Sequence, residues 1–178
     1  ECDVGSETEV VAAFAQTLEM FGRVDSLFAN AGMAPGLVPF VDLELDTWRR
    51  SMSVNLDGVM LSFREAARHM VERGEGGSLV AVSSTSAVHG APRNQSYSVA
   101  KTGLVALTRG LAVELARHRI RVNALLPGWT DTEMLSWGHA NEAFRTATIS
   151  RTPVRRWADP DEFGAVAVYL ARRDVTFH

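Results

Sequence analysis

Three short apolar runs punctuate the chain: Ser26-Leu27-Phe28-Ala29, Leu79-Val80-Ala81-Val82 and Ile120-Arg121-Val122-Asn123-Ala124-Leu125-Leu126. Their length and nearly continuous apolar character predict strands buried on both faces. Each follows a stretch with helical spacing. Residues 6–21 place Val10, Val11, Phe14, Leu18 and Phe21 on one face, and Ser6 with Glu9 three residues later forms a capping-box pattern. A second helix is predicted from Asp46 to Glu72, ended by Gly74, Gly76 and Gly77. The third, from Ser96 to Arg117, is apolar almost all round, so it requires cover on both sides, one of them supplied by a second subunit. A fourth is predicted at Pro160–Arg172, with Asp159 as N-cap and Pro160 in the first helical position. Strands alternating with helices imply βαβ units, hence an α/β, doubly wound, Rossmann-like parallel sheet. No repeat or linker divides residues 1–178, which read as a single domain.

Composition narrows the function classes. The chain has 178 residues, 46% hydrophobic and 22% charged, which is enough to bury a core. A net charge of −3 gives no basic face for a phosphate backbone, so a nucleic-acid partner is not expected. The single cysteine, Cys2, cannot form an internal disulfide and fits a reducing, cytoplasmic setting. No apolar run has the length of a membrane span. His89, His118 and His139 lack metal-ligand spacing, and no metal is expected. Of the 18 basic residues, all but Lys101 are arginines, and one of only two tyrosines, Tyr97, stands four residues before that lysine.

In open parallel sheets, ligands bind outside the carboxyl ends of the strands. That rule selects Asn30-Ala31-Gly32, Ser83-Ser84 and Pro127 to Thr132. Tyr97 and Lys101, at i and i+4, share one helix face. A tyrosine is a poor base near neutrality, but a cation within about 4–6 Å favours its phenolate, and the helix N-terminus adds to this. The pair can then move a proton at physiological pH. Ser84 can donate a hydrogen bond to an oxygen on which charge develops. Together they suit interconversion of a carbonyl and an alcohol. Taken singly, an i, i+4 Tyr/Lys pair is more often a solvated helix face and a serine after a strand more often a turn residue; the joint arrangement changes the odds.

These residues carry a resemblance. Asp25 to Gly32, Ser53-Val54-Asn55-Leu56-Asp57-Gly58, Val82-Ser83-Ser84 with Tyr97-Ser98-Val99-Ala100-Lys101, Arg121-Val122-Asn123 and Pro127-Gly128 follow one another in order. The chain thus resembles a short-chain dehydrogenase/reductase over essentially its whole length, in the branch of 3-oxoacyl reductases and glucose dehydrogenases. The resemblance implies an oxidoreductase that moves a hydride between NAD or NADP and a small-molecule secondary alcohol or carbonyl. Tyr97 would be the general acid/base, Lys101 would lower its pKa and bond the nicotinamide ribose, and Ser84 would polarise the substrate carbonyl. Asn55 would hold a water linking Lys101 to solvent. The cofactor would meet Asp3 and Val4 beside the adenine, Asn30, Ala31 and Gly32 along the adenosine ribose, and Pro127, Gly128, Thr130 and Thr132 at the nicotinamide end; the family more often has an aliphatic residue where Thr130 stands. A homotetramer built on helices 46–72 and 96–117 is also implied.

The family begins with a strand and a glycine-rich phosphate turn, and the sequence before residue 30 contains neither a G-x-G-x-x-G nor an equivalent cluster. The expectation is a longer protein whose first βα unit and last strand lie outside these residues, since a sheet so cut would expose Leu27, Phe28, Leu79 and Val80. The alternative is a non-catalytic cofactor sensor or scaffold. Sugar-nucleotide epimerases share Tyr-x-x-x-Lys but need a substrate domain larger than the segment after Gly128, and enoyl reductases place the lysine farther from the tyrosine. Met134, Leu135, Trp137, His139, Phe144 and Trp157 would form a lid, or equally an ordinary amphipathic helix pair. Ser86, Arg93 and Gln95 are further candidates to touch substrate.

Overall fold

The computed structural model describes all residues, Glu1–His178. In chain order it contains α1 (Glu7–Phe21), β1 (Ser26–Ala29), α2 (Leu45–Met52), α3 (Gly58–Arg73), β2 (Gly77–Val82), α4 (Ser86–His89), α5 (Gln95–Leu115), β3 (Ile120–Leu125), α6 (Ser136–His139), α7 (Glu142–Arg151) and α8 (Gly164–Ala171). The strands form one parallel sheet in the order β1-β2-β3, with Leu27 opposite Leu79 and Leu79 opposite Val122. The alternation of strand side chains divides the sheet into two faces. Leu79, Ala81, Ile120 and Val122 join Val59, Phe63, Ala66 and Met70 of α3 and Leu104 and Leu115 of α5 in one core. On the other face Ser26 and Ser78 donate to the last carbonyls of α8, at Ala171 and Leu170, and Arg121 donates to Leu170 as well. Those carbonyls have no partner within the helix, so the sheet caps α8.

Several expectations change in detail. Leu79 and Val80 are fully buried, because β2 lies between two strands and beneath helices; Leu27 and Phe28 at the edge are only half covered. In α1, Val10 is buried but Val11 and Phe21 are exposed, so the packed stripe is narrower than the sequence pattern. Ser6 accepts from the Glu9 amide at 3.4 Å, yet the Glu9 carboxylate turns to the Asp3 amide at 2.8 Å instead of closing the box. The helix expected at 46–72 runs without interruption from Leu45 to Arg73, but Ser53–Asp57 winds as a single π turn between α2 and α3. The helix at 160–172 opens as a tight 3-10 turn, Pro160–Phe163, where Asp159 and Glu162 do form a capping box. One side of α5 buries Leu104 and Leu115 in the core, while Val99 and Val113 on the same helix are exposed, Val113 at 82%.

Candidate active site

The carboxyl end of β2 is tied to its neighbours through short bonds. Ser83 donates its hydroxyl to the Lys101 carbonyl at 2.7 Å and its amide to the Leu125 carbonyl at 2.7 Å, which joins the strand end to α5 and to β3. The sequence selects Ser83 only together with Ser84 as a strand end and assigns it no role of its own. Ser84 accepts the Ser86 amide at 3.1 Å, which occupies a lone pair of its oxygen and leaves its O–H to donate elsewhere. Thr85 donates its amide to Pro127 at 3.0 Å, bringing the loop after β3 to the same place.

Lys101 is 4% exposed; its ammonium donates to the Val82 carbonyl at 2.7 Å and lies 5.5 Å from the Tyr97 ring centroid. Burial lowers its pKa to about 8. Burial also raises the Tyr97 phenol above its usual range, and the facing Ser84 draws it only partway back. The expected lowering of Tyr97 by Lys101 is therefore not what this geometry gives: the ammonium is spent on a backbone carbonyl and stands over the ring.

A stability experiment checks the lysine. Below about pH 8 Lys101 is charged in both states and carries its full burial cost; between about 8 and 10.5 the unfolded chain binds the extra proton. Stability should then rise with pH across that window, by about 3 kcal/mol, and Lys101→Met should flatten the rise. Tyr97, with its raised pKa, tilts the curve the other way only above 10. Equal pH slopes for the two proteins in urea titrations would refute the assignment.

Asn55 sits in the π turn and is fully buried. Its amide nitrogen donates to Met33 O at 2.9 Å and Ser51 O at 3.0 Å, and its Oδ1 accepts the Met33 amide at 3.1 Å. The side chain therefore clamps the chain segment that leaves β1. Both amide hydrogens are committed, and one Oδ1 lone pair remains to hold a water. Gly32 lets the chain pass close to that oxygen: a Cβ there would stand 3.1 Å from Asn55 Oδ1 and 3.6 Å from Lys101 Nζ. The missing methyl leaves a cradle between the two groups.

The residues expected around a cofactor fall into two sets. Val4, Asn30 and Ala31 line one cavity of about 100 Å³ with Val54 and Gly58, and Gly58 is required because a Cβ would meet Val4 Cγ2 at 2.8 Å. Asp3 is held beside it by the Gly5 amide at 2.9 Å and Arg50 at 3.0 Å, which keep its carboxyl below the ordinary range. Pro127, Gly128, Thr130 and Thr132 line the exit of β3. Thr130 pairs with Ala158 and turns its hydroxyl to the Gly128 carbonyl at 3.2 Å, whereas Thr132 is exposed at the start of a 3-10 turn. The open cavity and the glycine cradle fit a cofactor laid along the strand ends. No group of three or more His, Cys, Asp or Glu side chains is placed to hold a metal ion, and no helix is long and apolar enough to cross a membrane.

The segment after Thr132 folds as α6 and α7 over an aromatic cluster. Phe144 meets Trp129 edge-on at 5.2 Å and Trp137 at 4.6 Å, while buried Trp157 donates to Thr148 at 2.9 Å. His139 and Asp131, at 2.7 Å, fasten α6 to the loop after β3. Trp129, Met134 and Trp137 keep about two fifths of their surface exposed. The segment is thus an internally packed unit with an apolar outer edge.

Comparison with known proteins shows the family and the fold. A family model described as enoyl-(acyl carrier protein) reductase matches residues 1–177. The cis-4-hydroxycyclohexanecarboxylate dehydrogenase of Sinomonas cyclohexanicum is 38% identical over 175 residues, 98% of this chain and 69% of the relative. A gluconate 5-dehydrogenase from Burkholderia cenocepacia J2315, solved in complex with NADP and tartrate, superimposes with a TM-score of 0.93 at 33% identity, over 98% of this chain and 68% of that one. A short-chain type dehydrogenase/reductase from Mycobacterium marinum gives a TM-score of 0.93 at 30% identity, over 100% of this chain and 69% of that one. The chain belongs to the short-chain dehydrogenase/reductase family.

Proposed function

We propose that the protein interconverts a secondary alcohol and its carbonyl with NAD or NADP, using Tyr97 as general acid and base. The observation that carries this reading is the meeting of Ser84, Tyr97 and Lys101 at the end of β2, where the Ser84 oxygen already accepts the Ser86 amide and has its proton to give. A bound nicotinamide supplies the hydride acceptor or donor. Asp3, Val4, Asn30, Ala31 and Gly32 would hold the adenosine half, and Pro127, Gly128, Thr130 and Thr132 the nicotinamide half, with Tyr97 and Lys101 at the ribose.

In alcohol oxidation the Tyr97 phenolate takes the hydroxyl proton while Ser84 holds the same oxygen. In reduction the Tyr97 phenol gives its proton to the developing alkoxide, and its raised pKa keeps it protonated and ready at neutral pH. Lys101, set against Val82 O beside the Tyr97 ring, would bond the nicotinamide ribose, and a water on Asn55 Oδ1 would pass the proton outward past Gly32. The four-residue separation of Tyr97 and Lys101 supports carbonyl reduction over enoyl reduction despite the description of the matching family model. The aromatic edge of α6 and the cyclic substrate for which a relative is named favour an alicyclic substrate.

The exposed Val99 and Val113 of α5 and Met60 of α3 support a homo-oligomer, a tetramer, along these helices, and light scattering checks it. The lone cysteine and the family support a cytoplasmic protein. The test of function is oxidation of NADH or NADPH by the complete protein with a panel of cyclic ketones. Turnover confirms the reading. Tight binding of either cofactor with no turnover across the panel would favour a sensor.

A further inference from the structure

The turn that leads into α5 is chemically unbalanced in a way the reaction above does not use. Seven buried side-chain polar atoms lack a hydrogen-bond partner, and four of them fall within five residues around Tyr97: Asn94 Oδ1, Gln95 Oε1, Ser96 Oγ and Ser98 Oγ. Native interiors leave few such groups. Arg93 stands at the same turn. Its backbone is left-handed, at φ 64°, a conformation costly for a residue with a side chain, and it is held by a 2.8 Å bond from the Val38 amide to the Arg93 carbonyl. Its side chain is exposed.

That side chain is also without a partner. Most of the arginines make an ion pair or a hydrogen bond to a carbonyl; Arg93 makes neither. The sequence around the site removes the competition, for no aspartate or glutamate occurs between Glu75 and Glu114. A strained backbone therefore presents an uncompensated guanidinium four residues ahead of Tyr97, in a turn that also carries unspent side-chain acceptors.

We infer that Arg93 seats a carboxylate of the substrate, which makes the preferred substrate a hydroxy acid or its oxo acid. A guanidinium matches a carboxylate by a two-pronged, charge-assisted bond. This inference rests on the proposed reaction and adds to it which molecules are preferred.

The experiment compares cis-4-hydroxycyclohexanecarboxylate with its methyl ester as substrates of the complete protein, in the wild type, Arg93→Gln and Arg93→Lys. The wild type should prefer the acid in kcat/KM. Arg93→Gln should lower the acid-to-ester ratio about tenfold or more, through KM for the acid, and Arg93→Lys should recover part of it. A ratio of one in the wild type, or a ratio unchanged in Arg93→Gln, would overturn the inference. Calorimetric titration of the acid into protein with NAD⁺ probes the same contact without turnover: binding weakened in Arg93→Gln supports the role, and equal affinity, or none in either, refutes it. Failure of the reaction itself shows separately, as no carbonyl turnover by the wild type in the ketone panel.

Discussion

Tyr97→Phe is expected to leave the complete protein folded and able to bind NADH while lowering turnover by about 10²–10⁴-fold or more. The phenol is half-buried, and its one close polar neighbour is Ser84, so losing the hydroxyl strands no buried partner: Ser84 still accepts the Ser86 amide. The fold should therefore lose little. The chemistry loses its proton carrier. Because burial holds the phenol above its usual pKa, wild-type alcohol oxidation should quicken as pH rises toward that value, whereas carbonyl reduction should not depend on the phenol over the same range. Tyr97→Phe should abolish that alkaline rise along with the rate. Cofactor fluorescence titration and steady-state rates from pH 6 to 10 decide it. A mutant that turns over like the wild type would remove Tyr97 from the mechanism, and a mutant that no longer binds NADH would show that it chiefly holds cofactor.

The parts of this molecule that depend on one residue's character were legible in the sequence; the parts that depend on how two segments meet were not. The strand at 26–29 and the N-cap at Asp159 with Pro160 behind it follow from local pattern and appear where expected. The π turn between α2 and α3 does not. Nothing in Ser53-Val54-Asn55-Leu56 announces a π turn, because its cause is distant: Asn55 reaches across to the Met33 backbone on the segment leaving β1, and the extra residue in the turn accommodates that reach. Asn55, expected to hold a water, is for the same reason also a clamp on the Met33 backbone, with one lone pair to spare. Ser83 is selected beside Ser84 without a role, because a serine next to a candidate serine carries no pattern, yet its bond to Lys101 O fixes the spacing on which Ser84 and Lys101 depend. The lid's aromatics stood out in composition, but only packing shows that Phe144 and Trp157 are spent holding the unit together while Trp129 and Trp137 face outward.

Lys101→Arg is expected to cost about 10²-fold or more in kcat/KM with the protein still folded, although arginine is the ordinary basic residue of this chain. Every other basic position carries arginine, and almost all of those side chains lie at the surface, where a planar guanidinium and a compact ammonium serve alike. Position 101 differs in its surroundings. The side chain is 4% exposed, its nitrogen is set against Val82 O at 2.7 Å, and the Gly32 cradle leaves only a methyl's width on its other side. A guanidinium is broader and cannot occupy that slot without pushing on Gly32 or on the Asn55 clamp behind it. It also stays protonated, whereas Lys101, with a pKa of about 8, can release and regain a proton near neutrality as a relay requires. Lys101→Arg should therefore lose both rate and the contribution of a group titrating near pH 8 to the rate profile, while Lys101→Met loses the charge as well. If Lys101→Arg kept the wild-type rate and pH profile, neither the compactness nor the titration of this lysine would matter, and the one departure from arginine in the chain would be without chemical meaning.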